Sequence, residues 1–151
     1  MINTLEWQHS HLIILDQTKL PTEITYIKCY DYKRIALAIK RLEVRGAPAI
    51  GAAAAFAMVL GFNELLNTCL AEKELFWSKY ELIKNELIAA RPTAVNLQWA
   101  ADKIWLEAFS HKGTLTLAEI AKSIGTMAIN IYQNNIEQNK KIGVYCGNLL
   151  P

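Results

Sequence analysis

From Ala47 to Phe62 the chain runs for about 16 residues without a charge, drawing almost wholly on Ala, Gly, Val, Leu, Ile, Met and Phe. This stretch limits the fold more than any other. As a helix it is apolar on every side, so it must be surrounded by other elements and not merely laid against one. A membrane span needs about 20 strongly apolar residues. This run is shorter and rich in Ala and Gly, which marks it as a central core helix, continuing to about Cys69. Its alanines allow neighbouring helices to approach closely.

The flank Arg45-Gly46-Ala47-Pro48-Ala49-Ile50-Gly51 has the chemistry of a helix start suited to an anion. Pro48 suits a first helical position, where its missing N–H costs nothing. Gly46 and Gly51 permit close approach of backbone or ligand. A helix N-terminus offers unpaired N–H groups and the positive end of the macrodipole to phosphate or carboxylate. Arg45 adds a guanidinium fork just ahead of it. The same residues also fit a plainer description, a buried small-residue helix with a surface arginine at its mouth.

The segment Arg91-Pro92-Thr93-Ala94-Val95-Asn96-Leu97 repeats the pattern, an arginine before a proline and then an Ala-containing helix to about Ser110. Alone, Arg91 reads as a surface or capping residue. If the two helix starts converge, Arg45 and Arg91 form a two-sided anion clamp.

The remaining elements follow from local pattern. Leu5 to Trp7, Leu12 to Leu15 and Ile24 to Ile27 are short apolar runs separated by turn formers, expected to make a small antiparallel sheet within residues 1–30. Asp31 caps a helix to about Leu42. Glu72 to Ala90 is amphipathic, with Leu75, Phe76, Leu82, Ile83, Leu87 and Ile88 as its apolar face and Lys79, Glu81, Lys84 and Glu86 mostly towards water. Lys112-Gly113 ends the next helix, and Thr116-Leu117-Ala118-Glu119 is a capping box opening a long last one through Tyr132. The expected class is therefore α+β: one domain over residues 1–151, a small sheet followed by a helical bundle at 31–151.

Several functions are disfavoured. The 151 residues carry a formal charge of +2 with scattered Lys and Arg, so neither a nucleic-acid stripe nor a membrane-binding face is expected. The N-terminus lacks the pattern of a signal peptide. Cys29, Cys69 and Cys146 stand far apart, which fits free thiols in a reducing cytoplasm and no zinc site. His9 and His11 lack a third ligand. No nucleophile motif, metal cluster or phosphate loop is present. Cys146 reads as a bystander, so no catalytic residue, metal or cofactor is assigned.

Leu15-Asp16-Gln17-Thr18-Lys19-Leu20-Pro21, Val44-Arg45-Gly46-Ala47-Pro48-Ala49-Ile50-Gly51 and Arg91-Pro92-Thr93-Ala94-Val95-Asn96-Leu97, in this order, resemble the S-methyl-5-thioribose-1-phosphate isomerase family. Glu6-Trp7 and Cys29-x-Asp31 fit as well, and the likeness covers essentially the whole chain. That family belongs to the superfamily of translation-initiation exchange-factor subunits. The resemblance implies an N-terminal domain joined to a Rossmann-like C-terminal domain, in a homodimer, with the active site between the domains. It implies substrate binding by Arg45, Gly46, Ala47 and Arg91, a sugar phosphate as partner, and no cofactor. The family's catalytic cysteine and aspartate lie beyond the segment that Asn139 to Gly143 and Gly147 to Pro151 resemble, so Cys146 falls on a non-catalytic position. The expectation is a truncated chain, a shortened gene or one piece of a longer protein, without turnover of its own. Other readings are a regulatory subunit related to the exchange factor, a related pentose-phosphate isomerase, or a helical scaffold.

Overall fold

The computed structural model describes residues 3–69 and 72–148. A three-stranded antiparallel sheet, β1 (Leu5–Trp7), β2 (Leu12–Leu15) and β3 (Tyr26–Cys29), has the order β1-β2-β3. Five helices follow: α1 (Tyr32–Lys40), α2 (Ala47–Thr68), α3 (Lys73–Ala90), α4 (Val95–Ser110) and α5 (Leu117–Gly147). The architecture is α+β, as the pattern of short apolar runs followed by helical periods implies.

The centre is α2. It packs against α1, α3, α4, α5 and β1, and everything from Ile50 to Phe62 is buried. At 22 residues it is long and apolar enough to cross a membrane by length and composition, but four helices enclose it as a core element. Two close approaches depend on glycine. A Cβ at Gly61 would lie 2.8 Å from Ile83 Cγ2 on α3, and one at Gly51 would lie 3.1 Å from the Asn96 carbonyl oxygen on α4. Aromatic rings fill the wider gaps. Trp7 stacks on Phe56 at 4.6 Å, and Phe62 meets Phe76 and Tyr80 edge-on at 4.9 and 5.0 Å.

Local signals set several boundaries. Asp31 accepts from the Arg34 amide at 2.8 Å and starts α1. The capping box is complete: Thr116 Oγ1 accepts from the Glu119 amide, and Glu119 Oε2 accepts from the Thr116 amide at 2.8 Å. α1 stops at Lys40, short of Leu42, because the chain turns there. The Leu42 and Glu43 amides bond back to the Ile39 and Ala38 carbonyls, with Leu42 at φ 61 in the place glycine usually takes.

Three expectations are corrected. The third strand begins at Tyr26, not Ile24, because the register sets the buried Cys29 opposite Leu12 and leaves Ile24 exposed. The buried face of α3 is Phe76, Trp77, Tyr80, Ile83 and Leu87, whereas Leu75 and Leu82 are exposed. Lys84 is mostly covered, bonded to Asp102 at 3.3 Å and seated 4.7 Å over the Trp105 ring. Beyond Tyr132, α5 continues to Gly147 with Ile142, Val144 and Tyr145 exposed. Leu149, Leu150 and Pro151, part of the family likeness, lie outside the described residues.

Candidate functional site

The linker between α1 and α2 is tied down before it reaches Arg45. Glu43 is buried, and its carboxylate takes the Arg34 guanidinium at 2.7 Å. Burial works against the Arg34 charge, but the hydrogen bond and charge of Glu43 outweigh it and raise the guanidinium pKa. The Glu43 carbonyl accepts from the Gln17 amide at 2.9 Å. Next to Gln17, the buried Asp16 folds its own loop, accepting from the Thr18 amide at 3.0 Å and its hydroxyl at 2.6 Å. The Gln17 backbone thus ties this loop to the path into the α2 start.

Gly46 is the N-cap of α2, at φ 87 and ψ 130, a conformation that side chains resist. Its carbonyl accepts from the Ile50 amide at 2.9 Å. Ala47 is the first helical residue and Pro48 the second, so the proline lies one position later than expected. The second arginine segment departs further. Arg91 is the C-cap of α3, and Pro92 lies in the turn that closes with the Ala94 amide on the Arg91 carbonyl at 3.0 Å. α4 then starts at Val95 with Ala94 as its cap, so Pro92 initiates no helix.

The two starts nonetheless meet. The Gly51–Asn96 approach brings the first turns of α2 and α4 together, and between them lies an open pocket of about 400 Å3. Gly46, Ala47 and Ile50 line one side; Arg91, Thr93, Ala94, Val95 and Asn96 line the other. Neither helix start has a side-chain cap, unlike α1 and α5. The first amides of both helices are therefore left to solvent or a ligand by helix geometry. Arg91 is half-buried and is the one charged residue of the lining. Arg45 is exposed and lies outside the lining. Of the four residues singled out, the structure brings Gly46, Ala47 and Arg91 to a common pocket and leaves Arg45 at solvent.

Such a site suits an anion that also carries hydroxyls. Arg91 and helix amides address the charge, and the Thr93 hydroxyl and Asn96 amide supply neutral donors and acceptors. No carboxylate, imidazole or thiol is among its lining residues, so the lining offers contacts to an anion but no side chain suited to moving a proton. Thr93 and Asn96 join the pocket from inside the second motif, two and five residues after Arg91, where the sequence pattern by itself singles out only the arginine. On the other side of the first α2 turn a smaller cavity of about 220 Å3 is lined by Pro48, Ala49, Asn135 and Asn139 among others. There Asn135 donates to the Pro48 carbonyl at 3.0 Å and fastens the helix start to α5.

The remaining candidates stand apart. Cys146 is exposed near the end of α5. Cys29 is buried in the sheet, and burial pushes its thiol up to about 11. His11 stacks on Tyr30 at 4.7 Å. Among the described residues, no group of three or more His, Cys, Asp or Glu side chains is placed to hold a metal.

Known proteins resemble the chain in sequence and in fold. The model of the initiation factor 2 subunit family matches residues 43–151. A methylthioribose-1-phosphate isomerase of Desulforamulus reducens is 43% identical over 150 residues, covering 99% of this chain and 42% of that protein. One from Carboxydothermus hydrogenoformans is 45% identical with the same coverage. The crystal structure of 5-methylthioribose 1-phosphate isomerase from Pyrococcus horikoshii superimposes with a TM-score of 0.89 at 36% identity, covering 100% of this chain and 41% of that one. The translation initiation factor eIF-2B subunit delta from A. fulgidus superimposes with a TM-score of 0.85 at 31% identity, covering 99% and 42%. The chain thus spans about two-fifths of the length of the relatives it matches.

Proposed function

Because the chain belongs to the initiation factor 2 subunit family, we propose that it is the substrate-anchoring N-terminal domain of a methylthioribose-1-phosphate isomerase. Arg91, Gly46 and Ala47 hold the sugar phosphate, with Arg45 one residue ahead of the α2 N-cap. The reaction turns an aldose 1-phosphate into a ketose 1-phosphate. A phosphate on the anomeric carbon blocks easy ring opening, so the ester must be gripped while a separate acid–base group opens the ring and moves hydrogen between C1 and C2. That second role belongs to a Rossmann-like domain outside these 151 residues, and this chain alone turns over no substrate. Supporting the reading is one observation above others: two uncapped helix starts and an arginine converge on a pocket that no carboxylate lines.

The test is made in a protein carrying these residues together with the second domain. Removing a charged hydrogen-bonding arginine costs about 2–5 kcal/mol of binding, so Arg91→Ala lowers kcat/KM by about 30-fold or more. Unchanged kcat/KM in both Arg91→Ala and Arg45→Ala removes the anchor. The likeness to an exchange-factor subunit supports a second reading, a non-enzymatic subunit that senses a sugar phosphate or nucleotide in the same pocket. Ligand binding without isomerase turnover in the two-domain protein selects it.

A further inference from the structure

Gly46 takes its positive φ in open surroundings. A Cβ built on it would meet nothing within 4 Å, so packing on that side does not impose φ 87. Glycine has many other conformations open to it. Selection of this one acts along the chain, from the helix that follows and from the linker that precedes. The linker is anchored at Glu43, three residues ahead, through amide, carbonyl and carboxylate together. The amide donates to the Ala38 carbonyl at 2.9 Å, the carbonyl accepts from the Gln17 amide at 2.9 Å, and the carboxylate accepts from Arg34 Nη1 at 2.7 Å. Val44 follows with its side chain buried, and the exposed Arg45 alone separates this anchor from the N-cap.

Two of those bonds are backbone bonds that any residue but proline could make at position 43. The third depends on Arg34, which is fixed at both ends. Its amide is the one that Asp31 caps at 2.8 Å, and its guanidinium reaches from α1 to the linker. The pair is largely covered, with 28% of the Arg34 side chain and 10% of the Glu43 side chain exposed. Removing one member of a covered pair leaves the other charge without its partner. For the deeper carboxylate the escape is towards water, and Glu43 carries the linker with it.

We propose that Arg34 is a positioning residue for the anion pocket: by holding Glu43 it fixes the linker that presents the Gly46 N-cap and the first α2 amides. This role rests on the pocket's being the sugar-phosphate site. Arg34 lies on α1 and outside the pocket lining, so it acts through the backbone and touches no ligand. Releasing the linker lets the α2 start leave its binding conformation, and apparent affinity scales with the fraction of molecules that keep it. A start that keeps it about one-tenth of the time binds about tenfold more weakly.

Ribose 1-phosphate titrated into the 151-residue chain, read at the Gly46 and Ala47 amide resonances with urea unfolding in parallel, tests this role. Arg34→Ala weakens binding about tenfold and speeds deuterium exchange of the Ile50 amide, whose acceptor is the Gly46 carbonyl. Arg34→Lys recovers most of the loss, because the contact is a single N–H to one carboxylate oxygen. Thr116→Ala, a cap loss outside the pocket lining, destabilises the fold and leaves affinity unchanged, which separates position from stability. Should Arg34→Ala fail to fold, Glu43→Gln carries the test: it keeps an oxygen acceptor, loses the charge and weakens binding in the same direction but less. A folded Arg34→Ala, or in its place Glu43→Gln, that binds as the wild type does and protects Ile50 equally overturns the role of Arg34 and spares the pocket. Equal weakening by Thr116→Ala overturns it too, since the loss then follows stability alone. A wild-type chain with no saturable shift at these amides overturns the sugar-phosphate reading itself, and the role of Arg34 with it.

Discussion

Replacing Gly46 by alanine isolates the backbone geometry on which the candidate site is built. An added Cβ meets nothing within 4 Å, so the substitution introduces no clash. The penalty is conformational, because φ 87 with ψ 130 lies where L side chains are strained. Such a residue costs about 1–3 kcal/mol. Alanine also restricts the unfolded chain, which returns about 0.4–1 kcal/mol. The net loss is about 1–2 kcal/mol. For a domain of this size each kcal/mol moves Tm by about 2–4 °C, so Gly46→Ala melts about 2–8 °C lower in calorimetry. The strain is relieved most cheaply by turning the Gly46 peptide out of its N-cap position. The Ile50 amide then loses its bond to the Gly46 carbonyl, now 2.9 Å, and exchanges faster with solvent deuterium. An alanine variant as stable as the wild type, with Ile50 equally protected, refutes this geometry and with it the orientation of the first α2 amides.

Two further outcomes follow from buried and titrating groups. Tyr80 is fully buried in the aromatic cluster, and its hydroxyl has no hydrogen-bond partner among the described residues. Tyr80→Phe therefore removes an uncompensated polar group and raises stability to urea by about 1 kcal/mol; a loss of stability would reveal a bond to that hydroxyl. Glu119 accepts from the Thr116 amide and hydroxyl, which holds its carboxyl below the usual glutamate range. A lowered folded-state pKa means that its contribution is present above the unfolded glutamate pKa and disappears as pH falls through the folded value. The Thr116 amide chemical shift should titrate in that acidic window and lose the transition in Glu119→Gln.

Local chemistry was legible in the sequence wherever a few adjacent residues decide the structure. Asp31 and the Thr116–Glu119 box start their helices where they stand, because a cap needs only its own first turn. The face of α3 was not legible. Leu75 and Leu82 continue an apolar stripe as well as Phe76 and Ile83 do, and only the rings of Phe62 and Trp77 around Tyr80 determine which stripe turns inward. Pro92 misled because proline marks both helix starts and turns, and the bond from Ala94 to Arg91 selects the turn. At the site, the small-residue run and both arginines were visible, and convergence of the helix starts could be posed only as a condition. It is met through the Gly51–Asn96 approach, a contact between residues 45 positions apart that no local pattern encodes. The same packing leaves Arg45 outside the pocket and brings Thr93 and Asn96 into it.

The shared pocket is tested most directly by following backbone amide resonances of the chain while ribose 1-phosphate is added. Binding in the pocket shifts the amides of Gly46, Ala47, Val95 and Asn96 in one saturating series, and Arg91→Ala abolishes it. Shifts confined to other surfaces, or a series at these four amides that survives Arg91→Ala unchanged, would contradict the account.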